Sequence, residues 1–136
     1  GGYPELHAAQ IATASRFLDS LRAAASAGTP IYGECGGYMV LGETLVDAAG
    51  TEHRMAGLLG LATSFAQRRL HLGYRRLEAL AGMNEGAYRG HEFHYATTLR
   101  AEGAPLWQAW DAEGNPLGSI GLVDGTVQGS FAHLIA

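Results

Sequence analysis

The stretch Thr29-Pro30-Ile31-Tyr32-Gly33-Glu34-Cys35-Gly36-Gly37-Tyr38-Met39 decides the fold, because it sets the only cysteine of the chain among glycines at a change of structural period. A short apolar run ends at Gly33 and a helical apolar pattern begins after Gly37. That switch predicts a strand, a sharp turn and a helix. The spacing Gly33-x-Cys35-x-Gly37 is the cysteine form of the nucleophile elbow, whose flanking glycines leave room for a strained backbone. Such a turn lifts the sulfur above a sheet edge into a pocket. The helix behind it is expected to aim its first N–H groups and the positive end of its dipole at the sulfur, favouring thiolate. The other reading of a lone cysteine is a small buried core side chain.

Upstream, Ile11, Ala14, Leu18, Leu21 and Ala25 share one helical face, with Arg16, Asp19 and Arg22 elsewhere on the surface. Gly28 and Pro30 supply the stop. Downstream, the elbow helix is predicted over residues 37–45, burying Tyr38, Leu41 and Leu45 before the turn at Asp47-Ala48-Ala49-Gly50. From residue 51 the pattern changes to short extended segments at 55–65, 69–77, 88–95, 106–110, 117–122 and 127–131. In the second of these, Leu70, Leu72 and Tyr74 alternate with His71, Gly73 and Arg75. Turns at Gly114-Asn115-Pro116 and Asp124-Gly125 predict a meander of hairpins for the last three. The expectation is one α/β domain with a strand-rich second half.

A chain of 136 residues with net charge −4 is one domain in size and offers no basic field for nucleic acid. Its nine cations are all arginine and scattered. Without lysine, a G-x-x-x-x-G-K-[ST] phosphate loop cannot be built, so any nucleotide is expected to bind outside this chain. No apolar run approaches the ~20 residues that span a bilayer, no cationic leader precedes an apolar stretch, and one cysteine forms no internal disulfide. No membrane partner and a cytoplasmic location are expected. The opening Gly1-Gly2-Tyr3-Pro4 reads as an internal loop, which predicts a fragment.

A cysteine nucleophile needs a base, and the histidines stand at 7, 53, 71, 91, 94 and 133. His133 follows the strand-like Val127–Phe131 run, where side chains reach a site above the carboxyl edge of an open sheet. By itself it also reads as a terminal surface histidine. His91-Glu92-Phe93-His94 lacks the i, i+4 spacing of a zinc helix, and on a strand its two rings point to opposite faces, so no metal is expected. Gly2 and Gly36 are candidates for an oxyanion hole of two backbone N–H groups.

Five stretches carry a resemblance: residues 1–7 (GGYPELH), 32–42 (YGECGGYMVLG), 70–75 (LHLGYR), 89–95 (RGHEFHY) and 129–134 (GSFAHL). In that order the chain resembles the C-terminal class I glutamine amidotransferase domain of the cobyrinic and hydrogenobyrinic acid a,c-diamide synthases. The resemblance implies a flavodoxin-like fold whose first strands lie upstream of Gly1. It implies that Cys35 attacks the side-chain amide of glutamine to form a γ-glutamyl thioester, that His133 activates Cys35, and that ammonia passes to an ATP- and Mg²⁺-dependent ligase domain, absent here, which amidates a corrinoid. This chain itself is expected to hold no cofactor; a homodimer is a candidate assembly.

Two positions depart from the wider class I pattern: Ile135 stands where many members have the glutamate that orients the histidine, and Met39 where many have glutamine. Glu92 is a candidate to replace that acid, and Arg89 and Glu92 have charges suited to the glutamine backbone groups. Slow glutaminase activity without the ligase half is expected. The alternatives are a cysteine hydrolase or redox-sensing protein on the same scaffold, and a non-catalytic fragment.

Overall fold

The computed structural model describes residues 2–82 and 85–135, a mixed α/β structure rich in strands. A 3-10 turn at Pro4–Leu6 leads into α1 (Ala8–Thr13) and α2 (Ser15–Ser26). The apolar stripe read as one helix is therefore two. The Thr13 hydroxyl donates to the carbonyls of Ala9 and Gln10 at 3.0 and 3.1 Å, and the chain leaves helical angles at Ala14. Leu18 of α2 is buried, with Leu21 and Ala25 packed at the core's margin. Arg22 also reaches across to the carbonyls of Ala56 and Met55 at 2.8 and 3.2 Å, tying the helix down.

The expected strand, turn and helix follow: β1 (Ile31–Glu34), Cys35, and α3 (Gly36–Leu41). Here α3 ends four residues earlier than predicted. A Cβ on Gly42 would meet the Leu61 carbonyl at 2.7 Å, so the chain can pass that close only as glycine, and it runs on in extended form as β2 (Thr44–Val46). Leu45 is fully buried there, from a strand and not from a helix.

The remaining strands are β3 (Glu52–Arg54), β4 (Gly60–Ser64), β5 (His71–Ala79), β6 (Ala87–His94), β7 (Thr97–Glu102) and β8 (Trp107–Trp110). They are followed by β9 (Pro116–Ile120), β10 (Leu122–Asp124), β11 (Val127–Ser130) and β12 (His133–Leu134). Three sheets result, in the orders β1-β11-β10, β12-β6-β5-β8-β9 and β3-β2-β4-β7. The predicted terminal meander is divided between two of them: β8 and β9 form one hairpin, β10 and β11 another, and the chain changes sheet at Gly121.

Parallel pairing of β1 with β11, from Ile31↔Val127 to Glu34↔Ser130, brings two distant parts of the sequence to one edge. Glycine permits the packing over this pair: a Cβ on Gly33 would lie 2.7 Å from Leu41 and 2.9 Å from the α3 backbone, and one on Gly129 would lie 2.5 Å from the Gly33 carbonyl. One core gathers Tyr38, Met39, Leu41, Leu45, Leu61, Val127 and Phe131 beneath α3. A smaller one joins Leu77, Leu106, Trp107, Ala109 and Ala132. Among the described residues no helix is long and apolar enough to cross a membrane.

Candidate active site

Cys35 sits at φ 52°, ψ −107°, the one non-glycine residue with positive φ among those described. Such backbone costs on the order of 1–3 kcal/mol and persists only where its surroundings over-determine it. They do so here: the Cys35 N–H donates to the Ser130 carbonyl at 2.9 Å, and its carbonyl accepts the Met39 N–H at 3.1 Å. The turn is thus pinned to the end of β11 on one side and to the first turn of α3 on the other. Its thiol faces the Phe93 carbonyl at 3.9 Å and opens on a cavity of about 250 Å³ lined by Gly2, Tyr3, Glu5, Arg68, Phe93, His94 and Tyr95, among others.

Burial pushes the Cys35 thiol up; the Gly36 N–H draws it down, and the Glu5 and Glu34 carboxylates push it further up. The outcome is a thiol above its ordinary value in place of the expected thiolate, because desolvation outweighs the Gly36 N–H. Gly36 does meet Gly2, whose backbone N and O would lie 3.2 Å from a Cβ at position 36. Gly2 and Gly36, the two expected donors, are thus neighbours, and Gly2 lines the Cys35 cavity.

His133 stands two residues further from the end of β11 than Cys35 does from β1, at the start of β12, which places it opposite His91 of β6. Its Nδ1 lies 3.9 Å from Glu34 Oε1. The other oxygen, Glu34 Oε2, accepts the Leu134 N–H at 2.8 Å and the Tyr32 hydroxyl at 3.1 Å. Burial, then the Glu34 charge and hydrogen bond, push the Tyr32 hydroxyl up, which keeps it a donor. Among the described residues no hydrogen bond joins the Cys35 thiol to the His133 ring.

Glu92 is engaged elsewhere. Its Oε2 accepts from Arg75 Nε at 2.6 Å and its Oε1 lies 3.3 Å from His94 Nε2. Burial alone would raise this carboxyl, but the His94 and Arg75 hydrogen bonds and charges together hold it below the ordinary range. The His94 ring stacks on Phe131 at 3.9 Å and on His71 at 4.6 Å, and lines both the Cys35 cavity and a larger one with Arg69, His71 and Glu92. Burial, then the charge of His94, lowers His71, whose Nε2 is buried without a partner among the described residues. Arg89 does not reach the Cys35 cavity; it lines a different one with Tyr74, Asp111 and Ile135.

Arg68 and Glu5 do line the Cys35 cavity, and no spacing in the sequence marks either. Arg68 lies 4.7 Å over the Tyr95 ring, which holds its guanidinium at the mouth. No group of three or more His, Cys, Asp or Glu side chains is placed to hold a metal among the described residues.

A cysteine on a strained strand-to-helix turn over a cavity fits an amidotransferase of the thiol class. The chain belongs to the CobB/CobQ-like glutamine amidotransferase domain family, which it matches over residues 1–136. It is 57% identical over 137 residues to the hydrogenobyrinate a,c-diamide synthase of Brucella abortus biovar 1 (strain 9-941), covering 99% of this chain and 31% of that protein. The enzyme of that name from Rhodobacter capsulatus is 57% identical over 140 residues, covering 100% of this chain and 32% of the relative. The one from Rhizobium meliloti (strain 1021) is 53% identical over 138 residues, covering 99% and 32%. The chain thus spans about a third of the length of these curated relatives.

Proposed function

We propose that this chain is the glutaminase unit of a glutamine-hydrolysing, ATP-dependent corrinoid a,c-diamide synthase in cobalamin biosynthesis. The observation that carries the reading is the Cys35 turn, the one positive-φ non-glycine backbone among the described residues, placed over a cavity in a chain of the amidotransferase family. In this reading the turn is a nucleophile elbow on a flavodoxin-like sheet. Arg68 and Glu5 supply one cation and one anion in the cavity, the complement of an α-amino acid's carboxylate and ammonium.

His133 takes the Cys35 proton as Sγ bonds to the glutamine side-chain carbonyl carbon. The oxyanion is received by the N–H groups of Gly2 and Gly36, each such donor being worth roughly a hundred- to a thousandfold in turnover. The C–N bond breaks as His133 returns the proton to the leaving nitrogen, releasing ammonia. Water then cleaves the thioester to glutamate and restores the thiol. The burial of Cys35, 7% exposed, counts against a redox sensor, which needs an accessible thiolate.

The chain has no lysine for a phosphate-binding loop, and ATP and Mg²⁺ are assigned in this reading to a ligase domain of the same enzyme, which activates the corrinoid carboxylates. A thiol nucleophile suits the reducing cytoplasm.

Mass spectrometry after exposure to 6-diazo-5-oxo-L-norleucine tests the reading. One adduct is expected on the chain, absent in Cys35→Ala and formed at least a hundredfold more slowly in His133→Ala. Ready modification of Cys35 by iodoacetamide with no adduct from the glutamine mimic, in this chain and again in the full-length enzyme, would overturn it.

A further inference from the structure

We propose that Glu34, the residue before the nucleophile, is the positioning carboxylate of His133. The inference rests on the glutaminase reading and names a residue that it lacked. An imidazole that takes a proton at Nε2 must carry its own proton at Nδ1, and an acceptor facing Nδ1 sets both the tautomer and the ring's orientation. Position 135, two residues beyond the histidine, holds isoleucine with 58% of its surface exposed, so no acceptor comes from there. Glu92 is committed to Arg75 and His94.

Glu34 has the required placement. Its Oε2 is fixed by two donors, the Leu134 N–H and the Tyr32 hydroxyl, and this leaves Oε1 turned to His133 Nδ1 at 3.9 Å. The first of those donors belongs to the residue after the base, and the carboxylate belongs to the residue before the nucleophile. One side chain therefore links the ends of β1 and β12 and sets the separation of the two reacting groups. The 3.9 Å gap is ion-pair distance, about 1 Å longer than a hydrogen bond, as is common in enzymes without substrate, where catalytic contacts tighten on binding. The pair is about a third exposed, so its value is orientation more than attraction.

Three measurements on the chain, repeated in the full-length enzyme, test the inference. Glu34→Gln keeps an acceptor for Leu134 and Tyr32 but removes the charge; kcat for glutamine hydrolysis is expected to fall ten- to a hundredfold, with KM within threefold and an unchanged thermal midpoint. Glu34→Asp is expected to recover at least fivefold of that loss. In ¹H–¹⁵N spectra of the imidazole, His133 is expected as the Nδ1–H tautomer in the native chain and as a mixture in Glu34→Ala. A Glu34→Gln variant within twofold of native kcat, or a His133 tautomer unmoved in Glu34→Ala, overturns the proposal. If the native protein neither hydrolyses glutamine nor takes the label, the glutaminase reading fails by itself, and the spectra still decide the Glu34–His133 contact.

Discussion

The β1-Cys35-α3 junction and the β5–β6 ribbon both face the candidate site, yet they are built on opposite rules. At the junction, glycines remove side chains so that backbones touch, and Tyr38, Met39 and Leu41 of α3 are buried. In the ribbon's half nearest the cysteine the usual alternation is reversed. Leu72 and Tyr74 are 57% and 63% exposed, while Arg75 and Glu92 point inward at 14% each. Further along β5 ordinary packing returns, with Leu77 fully buried. The junction holds a strained residue by steric closeness; the ribbon holds charges in place by pairing them. Rigidity at a site can come from either, but only the second responds to pH.

The largest expected effect follows from breaking the ribbon's inward pair. Arg75→Met leaves the Glu92 carboxylate without its shortest partner; His94 remains, and breaking this partly buried ion pair is expected to cost about 3 kcal/mol. Urea unfolding measures it; the double change Arg75→Met with Glu92→Leu is expected to recover most of the loss. The pH arm has a definite sign. Because Glu92 is held below its ordinary 4.5 in the folded chain, its stabilisation is present above that value and lost as pH falls through the lowered one. Arg75→Met is expected to shrink this acid-dependent loss.

Next in size is the junction. In Gly33→Ala the new methyl meets backbone of α3 at 2.9 Å, which cannot yield as the nearby Leu41 methyl can, so a loss of about 1–3 kcal/mol is expected. That loss, taken relative to the native chain, is expected to be the same at pH 4 and pH 7, whereas the loss in Arg75→Met shrinks as pH falls; parallel pH dependence of the two losses would erase the distinction drawn here. Smallest is Leu72→Ser on the ribbon's outer face, where little apolar surface is buried in the chain and a change within about 0.5 kcal/mol is expected by thermal unfolding.

What could be read before folding follows the same division. Gly33, Cys35 and Gly37 lie within five residues, so their spacing reports a local turn, and the strand, turn and helix appear where the sequence places them. The stretch after Leu41 reads as more helix because Leu45 continues the helical spacing; the approach of Leu61 of β4 to Gly42, which ends that helix, joins residues far apart in the chain. Strands β2, β3, β7, β10 and β12 are not legible in the sequence for a related reason: each is short, or polar like Thr97–Glu102, and depends on partners elsewhere.

For the site, Cys35, His133, Gly2 and Gly36 are legible in the sequence; in the fold Gly2 lies against Gly36, and His133 stands on β12 opposite His91. Arg68 and Glu5 at the cavity, the diversion of Glu92 to Arg75, and the approach of Glu34 to His133 were written in no local pattern. Backbone conformation is decided within a few residues by sterics, which glycine spacing records directly. Which charged side chain meets which is decided by strands 99 residues apart in sequence, such as those carrying Glu34 and His133, and exists only once β1 and β11 have paired.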